Sequence, residues 1–140
     1  MQMQHRSFSM SFDHFRLLNL SFSVNEGFKE KEPVPINTQI SLANKYDKRK
    51  KVLLIRLKAS LTTGKVPFFF EIESEGRFVF KENPDDNTIK NFSVINCPAI
   101  MFPYVRETIA DMTRRAGFQP LHLAPINFVA LSKKRKDEIE

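Results

Sequence analysis

The chain has 140 residues, a formal net charge of +6 and one cysteine, which fit a single domain without an internal disulfide. No run approaches the roughly eighteen consecutive apolar residues of a membrane-spanning helix, and the N-terminus lacks the apolar segment of a secretory signal. We therefore expect one domain over residues 1–140 in the cytoplasm, where Cys97 would stay reduced.

The first two thirds of the chain alternates polar and apolar residues, which is typical of half-buried strands. The pattern predicts a sheet over about residues 8–82. Phe8 lies in the first strand, and the polar pair His14 and Arg16 interrupts the register of that strand as a β-bulge would. Short links between the strands favour an antiparallel meander, with an interruption of the fourth strand at Gly76.

The period changes after NPDD at residues 83–86, where helical patterns replace the alternation. A first helical stretch is expected to begin at Asp85 or Asp86 and to end at Pro98, because proline breaks a helix interior. Strands first and helices last predict an α+β fold.

Two more helices are expected in the C-terminal part of the chain. One runs from Pro103 to a glycine stop at Gly117, and the other from about Pro125 into a basic tail at residues 132–140. Together with the first helical stretch, these helices occupy about residues 85–136.

Little in the sequence suggests catalysis. The three histidines are far apart, and none has a partner at metal-ligand spacing. Cys97 lacks a catalytic signature, and the series Glu71, Glu73 and Glu75 fits a solvated strand face. We therefore expect no enzyme activity, no metal and no cofactor.

Two features of the composition suggest surfaces for binding. The chain has 14 Phe against 2 Tyr and no Trp, so its rings form a Phe-rich core or also lie at a subunit interface or in an apolar groove. Basic runs at residues 45–51 and 133–136 are interpreted as a solvated loop and tail. A nucleic-acid-binding module is a remote alternative, because no stacking motif or recognition helix accompanies the basic runs.

Residues 96–131 carry the long pattern CP-x3-FPY-x-RE followed by LxLAPxNFxAL. This pattern resembles the C-terminal half of the SecB protein-export chaperone family, and PFFFEIESEGRF at residues 67–78 matches the fourth strand of that family. The resemblance implies a four-stranded antiparallel sheet followed by helices, assembled as a dimer of dimers. It also implies an ATP-independent holdase that binds unfolded preproteins, needs no cofactor and delivers its clients to the SecA ATPase.

The resemblance also assigns site residues. The groove for the client polypeptide would be formed by Ile40, Leu42, Leu121, Leu123, Phe128 and Leu131. The subunit interface would be formed by Ile100, Phe102, Tyr104, Val105, Ile109 and Met112. For Phe128 and Leu131, an ordinary place in the core is an equal alternative.

Recognition of SecA is expected to be weak or absent. Phe69 and Glu71, on the outward face of the fourth strand, keep the apolar-plus-acidic character of the family. On the first strand, however, Asn19 and Ser23 stand where well-studied members carry acidic residues that meet SecA. The C-terminus is basic as well. A SecB-like chaperone of an antitoxin in a toxin–antitoxin system is therefore the alternative function.

Overall fold

The alternating apolar positions form a four-stranded antiparallel sheet, and helices follow it, which confirms the α+β class. The computed structural model describes residues 9–29, 31 and 33–139, with side chains as far as residue 134. Phe8 lies outside the described residues. The strands are β1 (Met10–Val24), β2 (Gln39–Asp47), β3 (Val52–Leu61) and β4 (Phe68–Phe80), and the helices are α1 (Asp86–Asn91), α2 (Cys97–Arg115) and α3 (Phe128–Ile139).

The strand order of the sheet is β1-β4-β3-β2. The predicted meander is therefore wrong for β1, which pairs with β4 and not with β2, and it holds for the other three strands. An extended chain covers about 3.3 Å per residue, so the connection at residues 25–38 can cross the roughly 15 Å between the two sheet edges. At the end of β1, the Asn25 backbone N–H donates to the Pro67 carbonyl at 2.9 Å, and this bond fixes the strand beside β4.

Strand β1 contains two irregularities in its pairing with β4. The first lies between Phe12 and His14, where the sequence indicated a bulge, and the second lies between Leu17 and Asn19. Each inserts one residue and so restores apolar side chains to the side of the sheet that the helices cover.

The helical part of the chain is continuous from Asp86 to Arg115. A π-helical turn, Phe92–Asn96, joins α1 to α2, and the Cys97 N–H donates to the Phe92 carbonyl. The prediction that Pro98 ends a helix and Pro103 begins the next is wrong: Pro98 lies in the first turn of α2, and Pro103 lies inside it. A proline lacks the N–H donor, and Pro98 directly follows the π-helical turn, where the regular i→i−4 bonding is already altered.

The helix ends mostly follow the local signals in the sequence. Asp85 caps α1 by accepting a hydrogen bond from the Thr88 N–H at 2.7 Å. Hydrogen bonding to the Thr88 side chain and, less strongly, to its N–H lowers the pKa of Asp85. Gly117 ends α2 with a φ of +92°, as predicted. Helix α3 begins at Phe128 and not at Pro125, and it continues to Ile139, so residues 132–139 are helical and not a tail.

The core lies between the sheet and α2. Met101, Val105 and Ile109 are fully buried against the inward side of β3 and β4. Cys97 is buried in the same layer, and its burial raises the pKa of the thiol to about 12. The thiol is therefore protonated at neutral pH, in agreement with a structural role.

Gly76 lies within an uninterrupted β4, directly under α2, so the predicted interruption is wrong. A Cβ at this position would lie 2.7 Å from Met101 Sδ and 3.0 Å from Phe78 Cε1.

Gly76→Ala is expected to lower the free energy of unfolding by about 1–3 kcal/mol, because it overpacks the core. Urea unfolding measures the effect, and Gly27→Ala is the control, since a Cβ there would lie 3.7 Å from its nearest neighbour. Equal urea midpoints of unfolding for the two variants would contradict the close contact between position 76 and α2.

Candidate polypeptide-binding site

An apolar cleft of about 240 Å³ lies between the start of β2 and the loop that leads to α3. We call it the apolar cleft. Its lining includes the side chains of Ile36, Thr38, Ile40, Phe102, Leu123 and Ile126. They come from three separate parts of the chain, so only folding brings them together. Such a surface suits apolar side chains of a bound molecule.

The structure divides the predicted groove residues. Ile40 and Leu123 line the apolar cleft, and Leu42 follows Ile40 on the same side of β2. Leu121 and Leu131 are partly buried and pack against the core. Phe128 is buried, with its ring 6.1 Å from that of Phe102 in an edge arrangement. Phe128 therefore supports the floor of the cleft and offers no surface to a client.

The loop before α3 is held in place by one threonine of α2. The Thr113 hydroxyl donates to the Ile109 carbonyl and accepts from the Leu121 N–H, both at 2.9 Å. At the other end of the loop, the Asn127 side chain accepts from the Ala130 N–H at 3.1 Å. These anchors place Leu123 at the cleft.

Three cleft residues were missed by sequence reasoning. Ile36 and Thr38 precede β2 on the same side as Ile40, so the period of two puts them on the face of Ile40, although neither was assigned to the groove. Ile126 lies among prolines, where no periodic signal exists. Phe102, predicted for the subunit interface, faces this cleft instead.

The Thr38 hydroxyl is buried and has no hydrogen-bond partner among the described residues. An unpaired buried hydroxyl costs free energy, whereas a methyl group of the same shape does not. Thr38→Val is therefore expected to raise the free energy of unfolding by about 1 kcal/mol. Thermal unfolding tests this against Thr63→Val, an exposed control. A lower melting temperature for Thr38→Val than for the control would show that the hydroxyl is satisfied.

A second cleft, of about 510 Å³, lies at the other end of β2, against α1 and the π-helical turn. Its lining side chains are Asn44, Tyr46, Lys48, Asp86, Ile89, Lys90, Ser93 and Val94. We call it the basic cleft, because its charged residues are two lysines and one acid. Tyr46 is fixed there, because its hydroxyl pairs with the Asn83 side chain and its ring meets that of Phe80 edge-on at 5.9 Å. Burial raises the pKa of Tyr46, so the phenol remains neutral.

Phe69 and Glu71 lie on the outward face of the sheet, opposite Ser23 and Ser21 of β1. Lys58 places its Nζ 3.2 Å from a Glu71 carboxylate oxygen. Phe69 and Glu71 therefore lie beside two serines and one lysine on this face.

Farther along the same face, Glu75 is held between two arginines. Its carboxylate lies 3.0 Å from the Arg16 guanidinium and 3.3 Å from that of Arg56. Arg77 also pairs with Asp13 on this face. Glu73 lies on this face as well, with Asn19 and Lys58 as its neighbours on the adjacent strands. The outward face therefore carries both signs of charge and is not an acidic surface.

The predicted interface residues separate into two groups. Phe102, Val105 and Ile109 are buried within the chain, so they have no surface left for a partner subunit. Ile100 and Tyr104 are 36% and 47% exposed, and Met112 is partly exposed. The Tyr104 ring stacks on Phe15 of β1 at 5.0 Å.

Strand β1 extends this exposed apolar surface beyond the helix. Its pairing with β4 puts Leu17, Leu20 and Val24 on the helix-covered side of the sheet, yet they are 46%, 36% and 46% exposed. Together with Ile100 and Tyr104 they are a candidate contact surface, which we call the apolar edge surface. The sequence pattern did not separate these residues from the core.

Within the described parts of the chain, no group of three or more His, Cys, Asp or Glu side chains is arranged to hold a metal ion. None of the described helices is both long enough and apolar enough to cross a membrane.

Comparison of the sequence with known protein families identifies the family of this chain. The family described as preprotein translocase subunit SecB matches residues 4–138. The chain belongs to the SecB family. Protein-export protein SecB of Burkholderia vietnamiensis is 43% identical over 76 residues, 54% of this chain and 47% of that protein. SecB of Acidithiobacillus ferrooxidans is 39% identical over 71 residues, so the chain spans about half the length of these relatives.

Solved structures show the same fold. A SecB-like chaperone of Mycobacterium tuberculosis, in complex with a ChAD peptide from the HigA1 antitoxin, superposes with a TM-score of 0.72 at 18% identity. That match covers 84% of this chain and 90% of the other. A Streptococcus agalactiae protein of unknown function gives a TM-score of 0.58 at 13% identity, over 84% and 98% of the two chains.

Proposed function

We propose that the chain is an ATP-independent holdase that binds unfolded or nascent polypeptides, as in SecB-type preprotein export. The observation that carries the proposal is the apolar cleft, in a member of the SecB family, at the edge of the sheet. The names of the relatives, protein-export protein SecB, agree with this role. The cytoplasm is the compartment in which such a protein would meet its clients.

Apolar burial explains how one cleft can hold many different clients. Each accommodated apolar side chain contributes roughly 1.5–3 kcal/mol before the cost of ordering the client. The Leu123 and Ile40 side chains are only partly buried, so they offer contact area without specifying one sequence. Useful affinity then requires several contacts together.

The proposed assembly is a homotetramer, a dimer of dimers. The apolar edge surface supports it, since it leaves large apolar side chains in water in a single subunit. Met112, which is partly exposed, lies on α2 together with Ile100 and Tyr104. Burial of this surface in a subunit contact would remove its apolar area from water.

Delivery to SecA is proposed to be weak or absent. On the outward face, Lys58 neutralises Glu71, and Asn19 and Ser23 provide no negative charge beside Phe69. Charge complementarity mainly governs recognition and association rate, so loss of the acidic residues on β1 should weaken the recognition of SecA.

A second candidate function is the protection of an antitoxin. It is favoured by the neutral outward face and by the likeness to a chaperone that was solved with an antitoxin peptide. In cells, an antitoxin client would be stabilised by the wild-type chain. Preprotein clients would instead accumulate as unexported precursors in cells that lack it.

Binding can be tested with a permanently unfolded model polypeptide, in the absence of nucleotide. We expect micromolar or tighter affinity in isothermal titration, and no binding of the same protein in its folded form. Absence of binding to the unfolded form, or equal binding to both forms, would refute the holdase role.

A further inference from the structure

The apolar cleft and the basic cleft lie along one row of side chains on edge strand β2. Ile40 lines the first and Tyr46 the second. Both face the same side of the sheet, because their partners on β3 are the buried Ala59 and Leu53. At about 3.3 Å per residue, the two positions are about 20 Å apart along the strand.

The row between the two clefts is also accessible. Leu42 lies between them and is partly buried, and Asn44, the next in the row, lines the basic cleft and is exposed. An extended polypeptide that lies along β2 therefore reaches both clefts with a segment of about seven residues.

The far cleft is positively charged. Lys48 and Lys90 line it, and Asp86 is its one lining acid. Lys48 Nζ lies 3.5 Å from Asp86, but both side chains are largely exposed, at 68% and 90%, so this pair is weak. Lys90 has no ion-pair partner among the described residues.

The neighbouring hairpin adds further positive charge. Arg49 and Lys50 are exposed, and the Asp47 carboxylate accepts hydrogen bonds from their backbone N–H groups at 3.0 and 3.1 Å. Asp47 is therefore engaged by the turn itself. The basic run is mostly exposed, as expected of a solvated loop, and it lies at this end of β2.

We propose that the two clefts bind one extended polypeptide, with an apolar segment in the apolar cleft and an acidic side chain about six residues away at Lys48 and Lys90. The inference rests on the proposed holding function and names its preferred client: a chain with carboxylates flanking an apolar stretch. Apolar contact holds the client, and charge selects its flank.

The test uses fluorescently labelled peptides with one apolar core and a pair of flanking residues on each side, measured by anisotropy with the full chain. The flanks are aspartates or lysines, placed about six residues from the core or about two residues from it. At low salt, the peptide with distant aspartates should bind about ten-fold more tightly than its lysine counterpart. At about 1 M salt, where the Debye length is about 3 Å, that preference should fall below about two-fold.

The variant Lys48→Glu/Lys90→Glu should reverse the preference, and both positions are exposed, so the fold should tolerate it. Lys58→Gln, on the outward face of β3 and so on the opposite side of the sheet from both clefts, is the control and should bind like the wild type.

Equal affinity for acidic and basic flanks, or a preference independent of flank distance, would overturn the inference while leaving the holdase role intact. The inference would also be overturned if single-stranded DNA bound at Lys48 and Lys90 while the aspartate flanks of the peptides added nothing to their affinity. Absence of binding to every peptide would instead reject the proposed function itself.

Discussion

Replacing Ile40 and Leu123 together with alanine should weaken the binding of an unfolded client by about 100-fold. Both side chains line the apolar cleft, one from β2 and the other from the loop before α3. Each truncation removes about 1–2 kcal/mol of apolar contact, so each single variant should lose roughly ten-fold. Titration with a permanently unfolded polypeptide measures all three variants.

The control for this experiment is Val129→Ala. Val129 is 44% exposed and does not line the cleft, so its truncation should leave affinity unchanged. Circular dichroism must show that the double variant remains folded. Wild-type affinity in a folded double variant would place the client elsewhere on the molecule.

Leu20→Lys should dissociate the proposed tetramer. Leu20 lies on the apolar edge surface and is 36% exposed, so a single subunit can direct a lysine ammonium into water. In a subunit contact, the same charge would be buried without a partner, at a high cost in free energy. Light scattering coupled to gel filtration should give four times the 16.3 kDa subunit mass for the wild type and a smaller mass for the variant.

Ser21→Lys is the matched control, since Ser21 lies on the opposite face of the same strand, across from Glu71. It should keep the mass of the wild type. A wild-type protein that stays monomeric at all concentrations would reject the tetramer. If the Leu20→Lys protein kept the mass of the wild type, the subunit contact would not involve this part of β1.

The strands were predictable because each has one buried face, and burial of one face imposes a period of two. Their order was not predictable, because alternation does not tell which edge the connection at residues 25–38 reaches. The continuous helix was missed because Pro98 and Pro103 were interpreted as breaks, whereas a π-helical turn places Pro98 in a first turn.

The candidate site was predictable only where an apolar residue stood in a recognisable motif or strand. Ile40 and Leu123 were found in this way, and both line the cleft. A helical stripe does not reveal whether it faces its own sheet or a partner subunit, which is why Val105 and Ile109 were expected at an interface. Lys48 and Lys90 are far apart in the sequence, so the basic cleft required the fold.

The central claim is that apolar burial holds unfolded chains without nucleotide. Its most direct test is suppression of the aggregation of a chemically denatured model protein, followed by light scattering at low and high salt. We expect suppression at stoichiometric amounts of the proposed tetramer, with most of the effect kept at high salt and lost in the Ile40→Ala/Leu123→Ala variant. Failure to suppress aggregation at any ratio, or suppression that disappears entirely at high salt, would contradict the claim.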